Sequence, residues 1–79
     1  MDIVLVKWHD AKFCPGTHSE QDAKEHRMDL FESVGYLIYR DGVTTMIAVE
    51  RNDKGEYRDL TLIPSGSIGA VHNLTLFAM

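Results

Sequence analysis

The chain has 79 residues, a formal net charge of −4 from 12 acidic and 8 basic residues, and a single cysteine, Cys14. A chain this short forms one domain and buries only a little over ~60% of the surface that its unfolded state exposes. Because one cysteine cannot form an internal disulfide, the composition favours a reducing, cytoplasmic setting and stabilisation by self-association into a homo-oligomer. The acidic balance opposes binding to a nucleic-acid backbone, and no apolar run is long enough to span a membrane.

The first predicted strand covers residues 2–8, which read DIVLVKW. Its apolar residues fall on both faces, which is typical of a strand covered on one side by the core and on the other by a helix or a neighbouring subunit. Residues 9–32 are predicted to form a loop and a short helix. Ser19 is the expected N-cap of this helix, which the pattern extends to Leu30, because acidic residues follow the cap and basic residues come later.

Four further strands are predicted at residues 33–40, 43–51, 57–63 and 67–77. Gly35 indicates a bend, a bulge or a close backbone approach. Asp41-Gly42 predicts a two-residue hairpin turn, because both residue types accept a positive φ. Pro64 ends the fourth strand because it cannot donate a ladder hydrogen bond, and the Ser-Gly that follows suits one 3₁₀ turn. The pattern predicts a mainly β fold, a small five-stranded SH3/Sm-like barrel with one short α-helical insert after the first strand.

Several stretches of the chain resemble a group of small bacteriophage proteins of unassigned role. The opening VKWHDA carries a Trp-x-Asp pattern before a variable insert, and SVGYL is followed by a β-hairpin and then by IP-x-x-SI-x-x-x-x-x-L. The resemblance runs from Val4 to Leu74 except for the insert, and it implies a phage-encoded protein in the host cytoplasm. The second half is also similar in general shape to Sm-like proteins, which implies that the fourth and fifth strands join subunits. The uridine-binding motifs and basic tail of Sm-like proteins are not found in it.

Two short segments, together with two arginines, are candidate binding sites for a small anionic ligand. The Trp-His-Asp at residues 8–10 offers groups that suit a base or ribose, the alternative being a packed tryptophan and an Asx-turn. The Ser-Gly-Ser turn at residues 65–67 offers amides and hydroxyls for an anion, the alternative being a turn that redirects the chain. Two arginines add positive charge for a phosphate. The predicted ligand-binding residues are Trp8, His9, Asp10, Arg51, Arg58, Ser65, Gly66 and Ser67.

A second set contains the only cysteine and three of the four histidines. Imidazole and thiolate are zinc ligands, so a zinc site in the insert is one interpretation. The spacing H-x4-C-x3-H-x7-H matches no standard ligand pattern, and a solvated His-rich loop is the other interpretation. The residues are His9, Cys14, His18 and His26. No cofactor is expected. Separately, Tyr36, Tyr39 and Arg40 suit either a subunit interface or an ordinary strand surface.

Three functional hypotheses follow. No serine, cysteine or carboxylate pair has a catalytic context, so the chain is not expected to be an enzyme. The leading hypothesis is a non-catalytic phage protein that sequesters a small nucleotide-type ligand of host defence at oligomer interfaces, because interfaces bring together groups that one short chain cannot. The alternatives are a module that binds and inhibits a host protein through an acidic surface or a free strand edge, and an Sm-like RNA-binding protein, which the negative charge disfavours.

Overall fold

The computed structural model describes residues 2–75, which form one five-stranded sheet, a short α-helix and a 3₁₀ turn. The elements in chain order are β1 (Ile3–Asp10), α1 (Glu20–Glu25), β2 (Asp29–Arg40), β3 (Thr44–Arg51), β4 (Tyr57–Pro64), the 3₁₀ turn (Ser65–Ser67) and β5 (Ile68–Asn73). The mainly β prediction is confirmed. All strand pairs are antiparallel, in the spatial order β4-β3-β2-β1-β5. Within the described residues β4 and β5 do not pair with each other, so no strand ladder closes the sheet.

The core lies on one face of this sheet. Successive side chains of a strand point to opposite faces, so the buried positions alternate with others along β1 and β3. The four nearly fully buried core side chains are Val4, Val6, Ile47 and Ile63, and the partly buried ones around them are Trp8, Leu37, Ile68 and Val71. The core is therefore small and comes almost entirely from the strands.

The opposite face of the sheet is also apolar, and the cross-strand register sets its side chains in rows. One row runs across four strands through Ile3, Tyr36, Ala48 and Leu60, and Ala48 is the fully buried member of this row. A second row joins Tyr39, Met46 and Leu62, and a third joins Leu5 and Val34. We call these nine residues the outer apolar face.

The helix leaves the outer apolar face open. None of the six residues of α1 is buried, and all of them lie in the described part of the chain. Four members of the outer apolar face remain 51–58% exposed: Val34, Tyr39, Leu60 and Leu62. The two apolar faces of β1 are therefore not explained by a covering helix within residues 2–75.

The first two strands are longer than predicted. Pairing of β1 with β2 continues to Asp10 and Asp29, so β2 begins four residues before the predicted start at 33. Ser19 caps α1 as expected, its Oγ accepting a hydrogen bond from the backbone nitrogen of Asp22 at 3.1 Å. The helix nevertheless ends at Glu25 and not at position 30, because the residues after 28 pair with β1. The predicted fifth strand, 67–77, is Ile68–Asn73, and its positions 76 and 77 lie outside the described residues.

The β2–β3 hairpin forms where predicted, but its turn is of another kind. Neither Asp41 nor Gly42 has a positive φ. Instead Asp41 Oδ1 accepts hydrogen bonds from the backbone nitrogens of Val43 and Thr44, both at 2.8 Å, so a carboxylate closes a three-residue loop. This is the alternative way in which aspartate stabilises turns. The predicted 3₁₀ turn after Pro64 is confirmed.

Residues 9–32 form a projection that we call the arm, which comprises the distal part of the β1–β2 hairpin and α1. The chain measures 53 × 22 × 22 Å, and its radius of gyration is 16.1 Å. A compact chain of this length has a radius of gyration of about 12 Å. The protein is therefore elongated. Within residues 2–75 there is no helix of the length and hydrophobicity that a membrane span requires.

Candidate recognition surfaces

The arm carries exposed apolar side chains on an acidic segment. Every residue from 15 to 32 is exposed. The exposed fractions of Phe13, Met28, Leu30 and Phe31 are 88%, 59%, 57% and 45%. With six acidic and three basic residues, the arm accounts for −3 of the formal charge of −4. Such a surface is suited to contact with a basic and apolar partner.

Local hydrogen bonds hold the arm in shape. The Nε2 atom of His18 hydrogen-bonds to the carbonyl oxygen of Cys14 at 3.2 Å, and the Nδ1 atom of His26 hydrogen-bonds to the carbonyl oxygen of Asp22 at 2.9 Å. The two imidazole rings meet edge to face, with centroids 4.9 Å apart. Beside them lies an open groove of about 560 Å³, lined by Lys12, His18, Asp22, Glu25, His26, Arg27, Met28 and Asp29.

The candidate zinc ligands are only partly brought together. His18 and His26 are in contact, but His9 lies on β1 as the cross-strand partner of Leu30. Among the residues that the structure describes, no group of three or more His, Cys, Asp or Glu side chains is placed to hold a metal ion. The imidazoles of His18 and His26 instead fasten the loop to the helix.

The segment at residues 8–10 does not converge on one ligand. Because β1 continues through Asp10, the side chains of Trp8 and His9 point to opposite faces of the sheet. Trp8 stacks on Phe31, with centroids 5.4 Å apart, and its Nε1 donates to Ser33 Oγ at 3.0 Å. These contacts favour the packed interpretation of Trp8.

The two serine hydroxyls of the 3₁₀ turn and the backbone nitrogen of Ser65 donate within the protein. The Ser65 hydroxyl donates to the carbonyl oxygen of Asp41 at 2.7 Å, and the Ser65 backbone nitrogen donates to the carbonyl oxygen of Val43 at 2.9 Å. The Ser67 hydroxyl donates to the carbonyl oxygen of Pro64 at 2.8 Å. Since Ser65 has already used its proton, the buried Thr45 hydroxyl donates to Ser65 Oγ. The turn therefore ties β4 to the β2–β3 loop.

The two candidate arginines lie at the other end of β4. Arg58 follows the β3–β4 loop and pairs with Glu50, whose hydrogen bond and charge raise the pKa of the guanidinium. Six residues of β4, at positions 59–64, separate Arg58 from Ser65, a span of roughly 20 Å. A concavity of about 180 Å³ surrounds the arginines, lined by Glu50, Arg51, Asn52, Glu56, Tyr57 and Arg58. Trp8 pairs with Ile68, which immediately follows the 3₁₀ turn. Within one chain the predicted ligand residues therefore form two separate groups, one around Trp8 and the serine turn and the other around the two arginines.

Another polar cluster was not singled out from the sequence as a group. The Tyr39 hydroxyl donates to Asp41 Oδ2 at 2.5 Å. That hydrogen bond, followed by those from the backbone amides of Thr44 and Val43, lowers the pKa of Asp41. The same bond, followed by the negative charge of Asp41, raises the pKa of Tyr39. The cluster stabilises a turn and leaves no free acid–base group.

Comparisons with known proteins assign no family: no protein-family model, no curated protein and no solved structure matches the chain. The function must therefore be inferred from the surfaces described above. Of these, the arm and the outer apolar face expose the most apolar surface.

Proposed function

We propose that the protein is a non-catalytic binding protein that recognises a protein partner through its arm. The supporting observation is the contrast between arm and sheet. The arm has four large apolar side chains that are 45–88% exposed, and it carries three quarters of the net negative charge. Ordering the arm costs conformational entropy, and packing in the central core cluster does not offset this cost, because the arm contributes no side chain to that cluster. Its apolar side chains remain available to a partner.

The chemistry of the arm specifies the kind of partner. Apolar contacts supply most of the affinity, while complementary charge steers association and makes it sensitive to salt. The partner is a protein with a basic and apolar surface. In keeping with the resemblance to small phage proteins, we place it in the host cytoplasm, where binding inhibits it. The strand order and the 3₁₀ turn that joins the two edge strands support an open SH3/Sm-like barrel as the scaffold.

Affinity capture from a host lysate with paired variants tests the proposal. Phe13→Ser changes an arm side chain that is 88% exposed, and Val43→Ser is the control, because Val43 is 76% exposed on the β2–β3 loop. We expect the wild type and Val43→Ser to retain the same protein at near-stoichiometric yield, and Phe13→Ser to lose it. Equal retention by both variants, or no retained protein, would refute recognition by the arm.

A second pair tests the contribution of charge. Glu25→Gln removes a carboxylate beside the arm groove, and Asp53→Asn removes one from the β3–β4 loop. Both variants change the net charge equally. We expect only Glu25→Gln to slow association and to weaken its dependence on salt. Identical effects of the two substitutions would mean that net charge, and not the arm, governs binding.

The concavity at the β3–β4 loop favours a small anionic ligand as the second candidate. Arg51, Arg58 and Tyr57 line it together with Glu50 and Glu56, and because Glu50 pairs with Arg58, the contact to an anion rests on Arg51. Its volume of about 180 Å³ lies below the ~300–1,000 Å³ of ordinary ligand pockets, so a nucleotide also requires groups from a second copy. Thermal unfolding with a panel of cyclic and linear nucleotides tests this candidate. We expect a raised midpoint that Arg51→Ala abolishes, and a flat response would eliminate it.

A further inference from the structure

We infer that the outer apolar face is the surface through which two copies of the chain associate. This surface is separate from the arm, so the inference stands or falls independently of partner recognition. It rests on the exposed area, on the distribution of charge and on the rows of side chains across the sheet.

The first observation is the exposed area. The chain has an accessible surface of 6052 Å². A folded monomer of this mass exposes about 4,850 Å². The excess of roughly 1,200 Å² belongs to the elongated chain as a whole, arm included, and it exceeds the roughly 800 Å² that each partner in a standard interface loses.

The second observation is the electrostatic balance of the face. Two charged pairs border it, Lys7 with Glu32 at one corner and Glu50 with Arg58 at the other. Each pair joins opposite charges, so the borders are neutral. Outside the arm the chain carries a formal charge of only −1. The borders of the face therefore carry no net charge that opposes the approach of a second copy.

The third observation identifies the occupant as a second copy. In a two-fold dimer the same patch serves both subunits, so it must be self-complementary. The row Tyr39–Met46–Leu62 and the longer row from Ile3 to Leu60 contain only uncharged side chains, which suits contact with the same rows of a second copy. Both faces of β1 are apolar, and the arm helix covers neither of them. A second copy gives Ile3 and Leu5, the side chains of β1 on the outer apolar face, an apolar contact. The apolar area buried in this way adds to that of a small core.

A matched pair of substitutions tests the inference on the full chain. Leu62 and Val49 are both 58% exposed and lie on adjacent strands, but Leu62 belongs to the outer apolar face and Val49 points to the opposite face. Sedimentation equilibrium would compare the wild type with Leu62→Lys and Val49→Lys. We expect dimers for the wild type and Val49→Lys, and a dissociation constant at least ~10-fold higher for Leu62→Lys, because the change occurs twice in a two-fold interface.

Other outcomes would overturn the inference. A monomeric wild type at high micromolar concentration rules out the dimer. Equal weakening of the dimer by both lysine variants would show that the interface is not on this face. Loss of the dimer in Phe13→Ser would show that the interface is on the arm. Loss of the dimer on removing residues 76–79, with Leu62→Lys still dimeric, assigns the contact to that segment. If Leu62→Lys does not fold, Val34→Lys replaces it, because Val34 lies on the same face and is 55% exposed. If the wild type is a dimer and Val34→Lys is an equally stable dimer, the inference is also refuted.

Discussion

Gly35 is the position at which the register of the sheet can be tested most sharply. A Cβ atom at this position would lie 2.6 Å from the carbonyl oxygen of Ala48 and 3.3 Å from Cβ of Ile47. The carbonyl belongs to the backbone of β3 and cannot rotate away. Gly35→Ala must therefore push β2 and β3 apart by several tenths of an ångström, and both strands carry side chains of the core and of the outer apolar face.

The expected loss of stability is about 2–4 kcal/mol, the sum of ~1–3 kcal/mol for overpacking and ~1 kcal/mol for stretched ladder hydrogen bonds. A domain of this length has a total stability of only about 4–12 kcal/mol, so the change is large. Urea unfolding followed by circular dichroism measures it. Both proteins must be studied at one concentration, because dimerisation makes apparent stability concentration-dependent.

Gly69→Ala is the matched control. Gly69 also lies in a strand, but the nearest atom to its added Cβ is the carbonyl oxygen of Lys7 at 3.8 Å, which is an ordinary contact. We expect a change within ~0.5 kcal/mol, or a small gain from the reduced entropy of the unfolded chain. If Gly35→Ala proves as stable as Gly69→Ala, then β2 and β3 do not meet as described, and the rows of the outer apolar face lose their basis.

The remaining predictions concern Asp41 and Trp8. Because hydrogen bonds from Tyr39 and two backbone amides lower the pKa of Asp41, its ionised form stabilises the fold above the unfolded pKa, and this stabilisation is lost as the pH falls through the acid range. In Asp41→Asn the free energy of unfolding should therefore depend less steeply on pH in the acid range than it does in the wild type. An unchanged dependence would contradict the role of the carboxylate. Trp8→Phe removes the hydrogen bond to Ser33 and should cost ~1–2 kcal/mol. Ser33→Ala should add little to Trp8→Phe in a double-mutant cycle, whereas fully additive costs would show that the bond contributes nothing.

The strands could be read from the sequence where alternation and turn residues agreed. The segment with Ile47 and Val49 on one face and Met46 and Ala48 on the other became β3, within one residue of its expected start. Gly35 indicated a bend, a bulge or a close backbone approach, and the structure shows the close approach, to the carbonyl oxygen of Ala48. In each case the deciding interaction is local or involves one neighbouring strand.

The arm could not be delimited in the same way. The helical pattern after Ser19 competes with pairing to β1, and the contact that decides the outcome, Trp8 on Phe31, lies between residues 23 positions apart. The continuation of β1 to Asp10 also turned His9 away from Trp8 and separated a predicted ligand set. Sequence adjacency does not reveal which side of a strand a residue occupies until the ends of that strand are known.

Likewise, the sequence predicted that the two arginines add positive charge to a ligand site that includes the Ser-Gly-Ser turn. In the structure the arginine pair and the serine turn lie at opposite ends of an extended strand. In the sequence, the outer apolar face was indicated by the apolar residues on both faces of β1. Its extent depends on the strand order, which no local pattern encodes.

The central claim is that the sheet folds and pairs with a second copy while the arm is free for another partner. Asp10 and Asp29 are cross-strand partners, so an Asn-Gly turn can replace residues 11–28. Native mass spectrometry of this shortened chain mixed with the full chain tests the claim directly. We expect full homodimers, mixed dimers and shortened homodimers in a ratio of roughly 1:2:1, because both chains keep the same face. Full-length dimers beside shortened monomers would contradict the claim and assign association to the arm.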